Sequence, residues 1–333
     1  MAGNRPDVLM IEPMMPLIVE AVAKDFALHK YWEAADRDRL VAQLAPTLRA
    51  IVAGGSTHQK VGAALMERLP HLEFISSFGV GYDHVDARWA GEHGIVVTNT
   101  PDVLTEEVAD TALGLLLCTV RQFCEAERYL RAGKWKQGDF PLTKGTLRDR
   151  TVGIVGLGRI GKAIARRLEG FGVPIVYCGR TRQPGVPYRY YANLIEMARD
   201  VDTLMVVAPG GPANRGMINA AVLEALGPRG ILINMSRGSN VDETALIEAL
   251  GRGTILSAGL DVFTHEPHVP EGLLAMDHIT LFPHLGSASM HTRSAMGQLV
   301  IDNLSAWAAG KPPLTPVPET PYPPVRDKAA ERH

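Results

Sequence analysis

A glycine-rich turn between an apolar run and a helical pattern constrains the fold of this sequence more than any other feature. The run Val152–Val155 leads directly into GLGRIG, residues 156–161, and then into the helical pattern KAIARRLEGFG. A G-x-G-x-x-G segment is informative only between a strand and a helix, and both flanking elements are predicted here. The sequence therefore predicts a parallel α/β domain whose first turn and helix N-terminus can bind a phosphate group.

Each glycine of this turn has its own physical reason. Gly156 permits the tight turn, Gly158 lets the backbone approach a pyrophosphate, and Gly161 allows the helix and strand to pack closely. An ordinary turn that happens to contain three glycines is the alternative interpretation. We assign the whole segment to a dinucleotide site, including the intervening Leu157, Arg159 and Ile160.

The segment YCGRTRQ, residues 177–183, lies where the second strand of such a domain should end. An NAD-binding unit usually has an acidic residue there, about 20 positions beyond the glycines, to hold the ribose 2′-hydroxyl. Gly179 occupies that position, and Arg180, Thr181 and Arg182 follow it. Two guanidinium groups and a hydroxyl can bind a 2′-phosphate, which an acid would repel, so the sequence predicts NADP(H). Solvated loop arginines are the alternative.

The chain is long enough for two domains, because its 333 residues exceed what one hydrophobic core normally fills. Short apolar runs alternate with helical patterns on both sides of residue 101, which predicts an α/β fold with two doubly wound parallel sheets. The predicted strands are Val8–Ile11, Ala50–Val52, Phe74–Ser76, Val96–Thr98, Val152–Val155, Ile175–Cys178, Leu204–Val207, Ile231–Asn234, Ser257–Asp261 and Ile279–Phe282.

Longer helical patterns cover residues 103–131 and the stretch from His291 to about Ala309. The basic and aromatic segment AGKWKQGDF follows the first of them, and it is too short to suggest a nucleic-acid surface. After the second, the Pro-rich residues 310–333 predict an extended arm or a loose tail.

Charge and cysteine content bound the partners and the compartment. With 34 basic and 36 acidic residues the formal net charge is −2, which favours neither nucleic acid nor an anionic membrane. The three cysteines show no metal-ligand spacing and no disulfide framework. Apolar runs stay far below the roughly 20 residues that a spanning helix needs. We expect a cytoplasmic protein that binds a small molecule and no metal.

Three polar segments, each after a predicted strand, carry candidate catalytic residues. They are INMSRGSNVDE (233–243), GLDVFTHEP (259–267) and LFPHLGSAS (281–289), and they contain Arg237, Glu266 and His284. Ligands of doubly wound sheets collect at the carboxyl ends of the strands, so these three side chains should converge where the nicotinamide lies. Each of them alone would more often be a solvated loop residue.

With the glycine turn and the segments SFGVGYDHVD (77–86) and PDVLTEEVAD (101–110), these residues resemble the D-isomer-specific 2-hydroxyacid dehydrogenases, especially the glyoxylate/hydroxypyruvate and hydroxyphenylpyruvate reductases. The resemblance extends from about Val8 to Pro316. It implies that Arg237 binds the substrate carboxylate and polarises the keto group. It also implies that His284 donates a proton to the developing alkoxide while Glu266 holds the imidazole ring.

The resemblance implies further contacts. Backbone N–H groups of Val80 and Gly81 would complete the carboxylate site, although a plain strand-to-helix turn explains the same glycines. In this family the segment around Trp135 belongs to a dimer arm, so a homodimer is expected with Trp135 near or in the contact. The remaining expected cofactor contacts are Thr111, Pro209, Ser236, Asp261 and Gly286.

The expected architecture is a Rossmann cofactor domain, residues 101–286, inserted into a flavodoxin-like substrate domain formed by residues 1–100 and 287–318, with a tail from 319 to 333. The expected activity is NADPH-dependent reduction of glyoxylate or hydroxypyruvate to glycolate or D-glycerate. Two alternatives stay open. One is a reductase of a bulkier 2-keto acid such as hydroxyphenylpyruvate or 2-ketogluconate, and the other is a nucleotide-sensing protein that resembles a transcriptional co-repressor.

Overall fold

The computed structural model divides into two compact units, Met1–Leu104 with Ser289–His333 and Thr105–Ala288. It describes residues 5–54 and 59–324. The strands are β1 Asp7–Met10, β2 Ala27–Lys30, β3 Ala50–Ala53, β4 Phe74–Ser77, β5 Val96–Thr98, β6 Val152–Val155, β7 Ile175–Cys178, β8 Arg189–Tyr191, β9 Thr203–Val206, β10 Ile231–Asn234, β11 Ser257–Leu260 and β12 Thr280–Leu281. The α-helices are α1 Pro16–Asp25, α2 Arg37–Leu44, α3 Ala63–Met66, α4 Ala87–Glu92, α5 Thr105–Arg121, α6 Phe123–Arg131, α7 Arg159–Glu169, α8 Leu194–Asp200, α9 Ala220–Leu226, α10 Glu243–Gly251, α11 Glu271–Leu274 and α12 Met290–Ala308.

The first unit is built on a five-stranded parallel sheet in the order β2-β1-β3-β4-β5. Side chains alternate along β1: Val8 and Met10 pack with Val300 of α12, whereas Leu9 packs with Val41 of α2 on the other face. Both faces of the sheet are therefore covered by helices, as parallel sheets require, and the order is the flavodoxin-like one.

The second unit contains a seven-stranded parallel sheet in the order β12-β11-β10-β9-β6-β7-β8. The chain runs outward from β6 through β7 to β8, then returns to β9 and runs outward on the other side. The carboxyl ends of β6 and β9 thus form the topological switch point where α/β sheets bind ligands. The predicted fold class, two doubly wound α/β domains, is confirmed.

Two strands were absent from the sequence prediction, and both are sheet edges. Every residue of β2 is half-exposed, and β8 buries only Tyr191 among its three residues. Edge strands need no continuous apolar run, so their sequences lack the signal that the central strands carry.

The long predicted helix over residues 103–131 is two helices, α5 and α6. Gln122 between them adopts a left-handed backbone conformation with φ 52°, which interrupts the helical hydrogen-bond pattern. The Pro-rich segment after α12 is a packed arm as far as Thr320, although the tail was predicted to begin at residue 319. Val317 and Thr320 are each 2% exposed and bond to the backbone of Val97. Residues 325–333 lie outside the described part.

Across residues 5–54 and 59–324, every helix is too short or too polar to cross a bilayer.

Candidate functional site

The glycine turn after β6 is shaped by close backbone contacts. Gly156 has φ +98°, and a Cβ on it would lie 2.8 Å from the Cα of Ala208. A Cβ on Gly161 would lie 2.3 Å from the Gly156 carbonyl oxygen. By contrast, a Cβ on Gly158 would meet no described atom within 4 Å. Two glycines are therefore required by packing, while Gly158 leaves the turn open to an approaching group.

The helix that follows this turn lacks a side-chain cap. Gly158 is the N-cap of α7 and has no side-chain oxygen to accept from the first N–H groups. Three helices of the same unit do have such a cap, from Asn193 on α8, Asn219 on α9 and Asp242 on α10. The N-terminus of α7 thus keeps the backbone donors and the positive dipole end that an anion needs.

The arginine loop, residues 179–183, follows β7 on the side of β6 away from β9. Arg180, Thr181 and Arg182 are all exposed. Within the described residues, neither guanidinium has a hydrogen-bond or ion-pair partner. The loop therefore presents two uncompensated positive charges near the glycine turn, a donor set that fits a dinucleotide carrying a 2′-phosphate.

Three neighbouring strands position the predicted catalytic residues. Arg237 follows β10, Glu266 follows β11 and His284 follows β12. These strands are adjacent and parallel, so their carboxyl ends lie along one edge of the sheet. The structure brings two of these three side chains, those of Glu266 and His284, into contact.

His284 Nδ1 lies 2.8 Å from Glu266 Oε2. The other carboxylate oxygen of Glu266 accepts the N–H of Phe263 at 2.9 Å, so the backbone fixes the carboxylate. The histidine side chain is 35% exposed and that of the glutamate only 14% exposed. A carboxylate in this position accepts a hydrogen bond from Nδ1 and sets the ring orientation.

Asp261 organises the backbone that carries the histidine. This residue is 1% exposed, and its carboxylate oxygens accept the N–H groups of Leu285 at 2.6 Å and Gly286 at 2.9 Å. Its carbonyl oxygen accepts the N–H of His284 at 2.9 Å. Together these bonds support the left-handed conformation of His284, whose φ is 54°. Burial raises the pKa of Asp261, and the two backbone donors partly offset that effect.

The loop of Arg237 packs against the segment that leads to Glu266. A Cβ on Gly238 would lie 1.9 Å from the carbonyl carbon of Phe263, so only glycine fits between the two segments. One Arg237 Nη donates to the carbonyl of Ser236 at 2.8 Å. The Ser236 hydroxyl donates to Asn234 Oδ1 at 2.7 Å, which ties the loop to the end of β10.

The other predicted cofactor contacts surround the same edge of the sheet. Thr111 of α5 donates through its hydroxyl to the carbonyl of Gly286 at 3.4 Å. Pro209 follows β9, and its carbonyl accepts the side-chain amide of Asn240 at 3.2 Å. The buried Asn240 also bonds Ser236 Oγ at 3.1 Å, which connects the loops after β9 and β10.

Val80 and Gly81 belong to the first unit, in the loop that follows β4. The loop is tied to the segment after β5: the Gly79 N–H donates to Thr100 Oγ1 at 3.0 Å, and Asn99 Nδ2 donates to the Val80 carbonyl at 2.8 Å. Trp135 lies after α6 in the second unit and is 64% exposed.

Gln183, whose side-chain Nε2 donates to the Leu157 carbonyl at 2.6 Å, was not identified from the sequence as an organiser of this site, and neither were Asn240 and Asp261. Gln183 lies between an arginine and a proline in a loop, where a glutamine carries no sequence signal. Asn240 lies in the segment INMSRGSNVDE, in which Arg237 was the candidate catalytic residue. Asp261 was expected to face the cofactor, and its bonds to Leu285 and Gly286 could not be inferred without the backbone of the histidine loop.

Comparisons with known proteins agree with this arrangement. Residues 113–286 match the family described as D-isomer specific 2-hydroxyacid dehydrogenase, NAD binding domain. The hydroxyphenylpyruvate reductase of Plectranthus scutellarioides is 47% identical over 311 residues, covering 93% of this chain and 98% of the relative. Glyoxylate/hydroxypyruvate reductase A of Arabidopsis thaliana is 46% identical over 310 residues, with the same coverage of 93% and 98%.

A solved structure is similar over almost the full length. The NADPH-dependent glyoxylate/hydroxypyruvate reductase of Sinorhizobium meliloti, in complex with NADP and malonate, is 50% identical with a TM-score of 0.91. The match covers 98% of this chain and 99% of that chain.

Proposed function

This chain belongs to the D-isomer-specific 2-hydroxyacid dehydrogenase family, and we propose that it reduces glyoxylate and hydroxypyruvate to glycolate and D-glycerate with NADPH. One observation carries the proposal, namely the 2.8 Å contact between His284 Nδ1 and Glu266 Oε2 at the carboxyl edge of the seven-stranded sheet. The Arabidopsis and Sinorhizobium relatives are named for this substrate class, which supports it.

NADP(H) is the cofactor in this proposal, and NADPH supplies the hydride when it is bound. The glycine turn, residues 156–161, would hold the pyrophosphate at the N-terminus of α7. Arg180 and Arg182, with the Thr181 hydroxyl, would bind the 2′-phosphate through charge-assisted hydrogen bonds. The similar Sinorhizobium reductase was solved with NADP, which supports the same cofactor here.

His284 acts as the general acid. Reduction of a 2-keto acid leaves negative charge on the carbonyl oxygen, and an imidazolium neutralises that charge by donating its proton. Because Glu266 accepts from Nδ1, the proton that leaves is the one on Nε2. Glu266 orients the ring, so the donor atom is in position when the substrate binds.

Arg237 binds the substrate. Its planar guanidinium can contact a carboxylate oxygen and the keto oxygen together, which orients the substrate and polarises the carbonyl group. By resemblance, the N–H groups of Val80 and Gly81 bind the same carboxylate. We assign the further contacts to the cofactor: Leu157, Arg159, Ile160, Thr111, Pro209, Ser236, Asp261 and Gly286.

We also propose a cofactor domain of residues 101–286, a substrate domain of residues 1–100 and 287–318, and a homodimer. The exposed Trp135 is the expected dimer contact, because large exposed aromatic side chains are frequent in interfaces. A cytoplasmic location is supported by the three cysteines, which are all free thiols.

A bulkier 2-keto acid is the second candidate substrate. The Plectranthus relative, as similar to this chain as the Arabidopsis one, is named a hydroxyphenylpyruvate reductase. Both reactions use the same proton donor and the same carboxylate site. They differ at the far end of the substrate. 2-Ketogluconate is the other bulkier 2-keto acid among the alternatives.

A panel of 2-keto acids assayed with NADPH and with NADH tests the proposal. We expect kcat/KM to be highest for glyoxylate or hydroxypyruvate with NADPH. Hydroxyphenylpyruvate or 2-ketogluconate as the best substrate would replace the substrate assignment and leave the chemistry intact. Cofactor binding without turnover of any 2-keto acid would contradict the proposed enzyme and favour a nucleotide-sensing protein.

A further inference from the structure

The arginine loop is fixed at both ends by buried or half-buried polar groups. At its start, the hydroxyl of Tyr190 on β8 donates to the carbonyl of Gly179 at 3.1 Å. At its end, the N–H of Gln183 donates to the hydroxyl of Tyr177 on β7 at 2.8 Å. Arg180, Thr181 and Arg182 are the residues between these two anchors.

Gln183 also connects the loop to the glycine turn. Its side-chain Nε2 donates to the carbonyl oxygen of Leu157 at 2.6 Å. Leu157 is the buried residue between Gly156 and Gly158. The Gln183 side chain therefore links the loop proposed to bind the 2′-phosphate to the turn proposed to bind the pyrophosphate.

The anchors themselves are rigid. Tyr177 is 1% exposed, and its ring lies 5.3 Å from that of Tyr190, centroid to centroid. The two arginine side chains, in contrast, extend into solvent from a fixed backbone. A backbone held in place before the ligand arrives loses less conformational entropy when the ligand binds.

We propose that Gln183 and Tyr190 are positioning residues that determine the preference for a 2′-phosphorylated adenosine. This inference rests on the proposed NADP(H) cofactor, and it adds residues that hold the backbone around Arg180 and Arg182 rather than contact the phosphate. The anchors hold the arginine loop in place. Their loss should therefore weaken binding of a ligand that carries the 2′-phosphate and should not affect binding of a ligand without it.

Calorimetric titration of the full-length protein with adenosine 2′,5′-bisphosphate and with adenosine 5′-monophosphate tests this. The variants are Gln183→Met, which keeps the side-chain length and removes the donor, and Tyr190→Phe, which removes only the hydroxyl. Each should lower the affinity ratio between the two ligands by about two- to tenfold, the value of one net hydrogen bond. In steady-state assays KM for NADPH should rise while kcat stays unchanged.

Tyr188→Phe is the matched control, because the Tyr188 hydroxyl donates to Glu169 Oε1 at 2.6 Å and, within the described residues, makes no hydrogen bond to the arginine loop. The control should leave the affinity ratio as in the wild type. An unchanged ratio in both Gln183→Met and Tyr190→Phe, or an equal loss for both ligands, would overturn the positioning role. If the wild type itself binds both ligands equally, the proposed cofactor fails and this inference fails with it.

Discussion

The charges of the arginine loop and those of the His284 region differ in whether other protein groups compensate them, although both regions lie at the carboxyl edge of one sheet. Arg180 and Arg182 are exposed and have no partner within the described residues. Glu266 is largely buried and bonds both Phe263 and His284, while the oxygens of Asp261 are used by backbone donors. One region supplies charge that is compensated only by a ligand, and the other compensates its charges internally.

This difference indicates which kinetic constant each region controls. A guanidinium without a protein partner contributes its full attraction to an anionic ligand, so changes there should appear in binding. A charge that the protein already holds in place contributes to the reaction through geometry and proton transfer, so changes there should appear in kcat. Substitutions in each region test whether binding and kcat are controlled separately.

The largest effect is expected from His284→Gln. Removing the proton donor should lower kcat by about a hundredfold to ten-thousandfold, the usual contribution of general acid catalysis. NADPH affinity, measured by fluorescence titration, should stay close to that of the wild type. His71→Gln, which changes an exposed histidine of the other unit, is the control. Retained turnover in His284→Gln would remove this residue from the mechanism.

The double change Arg180→Ala with Arg182→Ala should have the next largest effect, and on binding alone. Loss of two charge-assisted contacts should raise KM for NADPH by about a hundredfold and leave KM for NADH nearly unchanged. Arg199→Ala removes an exposed charge elsewhere in the same unit and should change neither value. Equal losses for both cofactors would contradict the assignment of the loop to the 2′-phosphate.

Glu266→Gln should have a smaller effect on the catalytic side. The glutamine oxygen can still accept from Phe263, so the loop should keep its conformation, but the carboxylate that accepts from His284 Nδ1 is lost. We expect kcat at saturating NADPH to fall about tenfold to a hundredfold, as for other hydrogen bonds to charged groups. An unchanged kcat would show that His284 needs no carboxylate neighbour.

The sequence predicted the parts of this molecule that depend on local patterns. The central strands are continuous buried runs, as in β3 and β10. The glycine turn required only its flanking strand and helix. The fold class followed from the alternation of these elements.

What the sequence could not predict depends on contacts between distant segments. The edge strands β2 and β8 lack an apolar signal, and the left-handed Gln122 is an isolated backbone event. The Leu157 carbonyl that accepts from Gln183 is identified by geometry, since any residue has a carbonyl. Sequence patterns indicate which residues are buried and whether the apolar residues recur with the period of a helix or of a strand. These contacts depend instead on loop conformation.

The smallest expected effect is that of Asp261. This buried residue of the catalytic loop affects the stability of the folded chain. Its pKa is raised above the usual 3.8, so the folded chain binds this proton more readily than the unfolded chain. The contribution of protonated Asp261 to the free energy of unfolding is therefore complete below pH 3.8. It is lost as pH rises through the higher folded-state pKa of this residue. In Asp261→Asn this titration is absent, and the bond to one backbone donor is lost at every pH.

The melting temperature of the wild type minus that of Asp261→Asn should consequently decrease as pH rises from about 4 to 7. A change of about 1 kcal/mol corresponds to roughly 2–4 °C for a unit of this size, which scanning calorimetry resolves. Asp242→Asn, at the exposed N-cap of α10, is the control. A difference that increases with pH would mean that the donors from Leu285 and Gly286 outweigh burial. The carboxylate would then be stabilised by its partners, and internal compensation at the catalytic edge would carry no cost in stability.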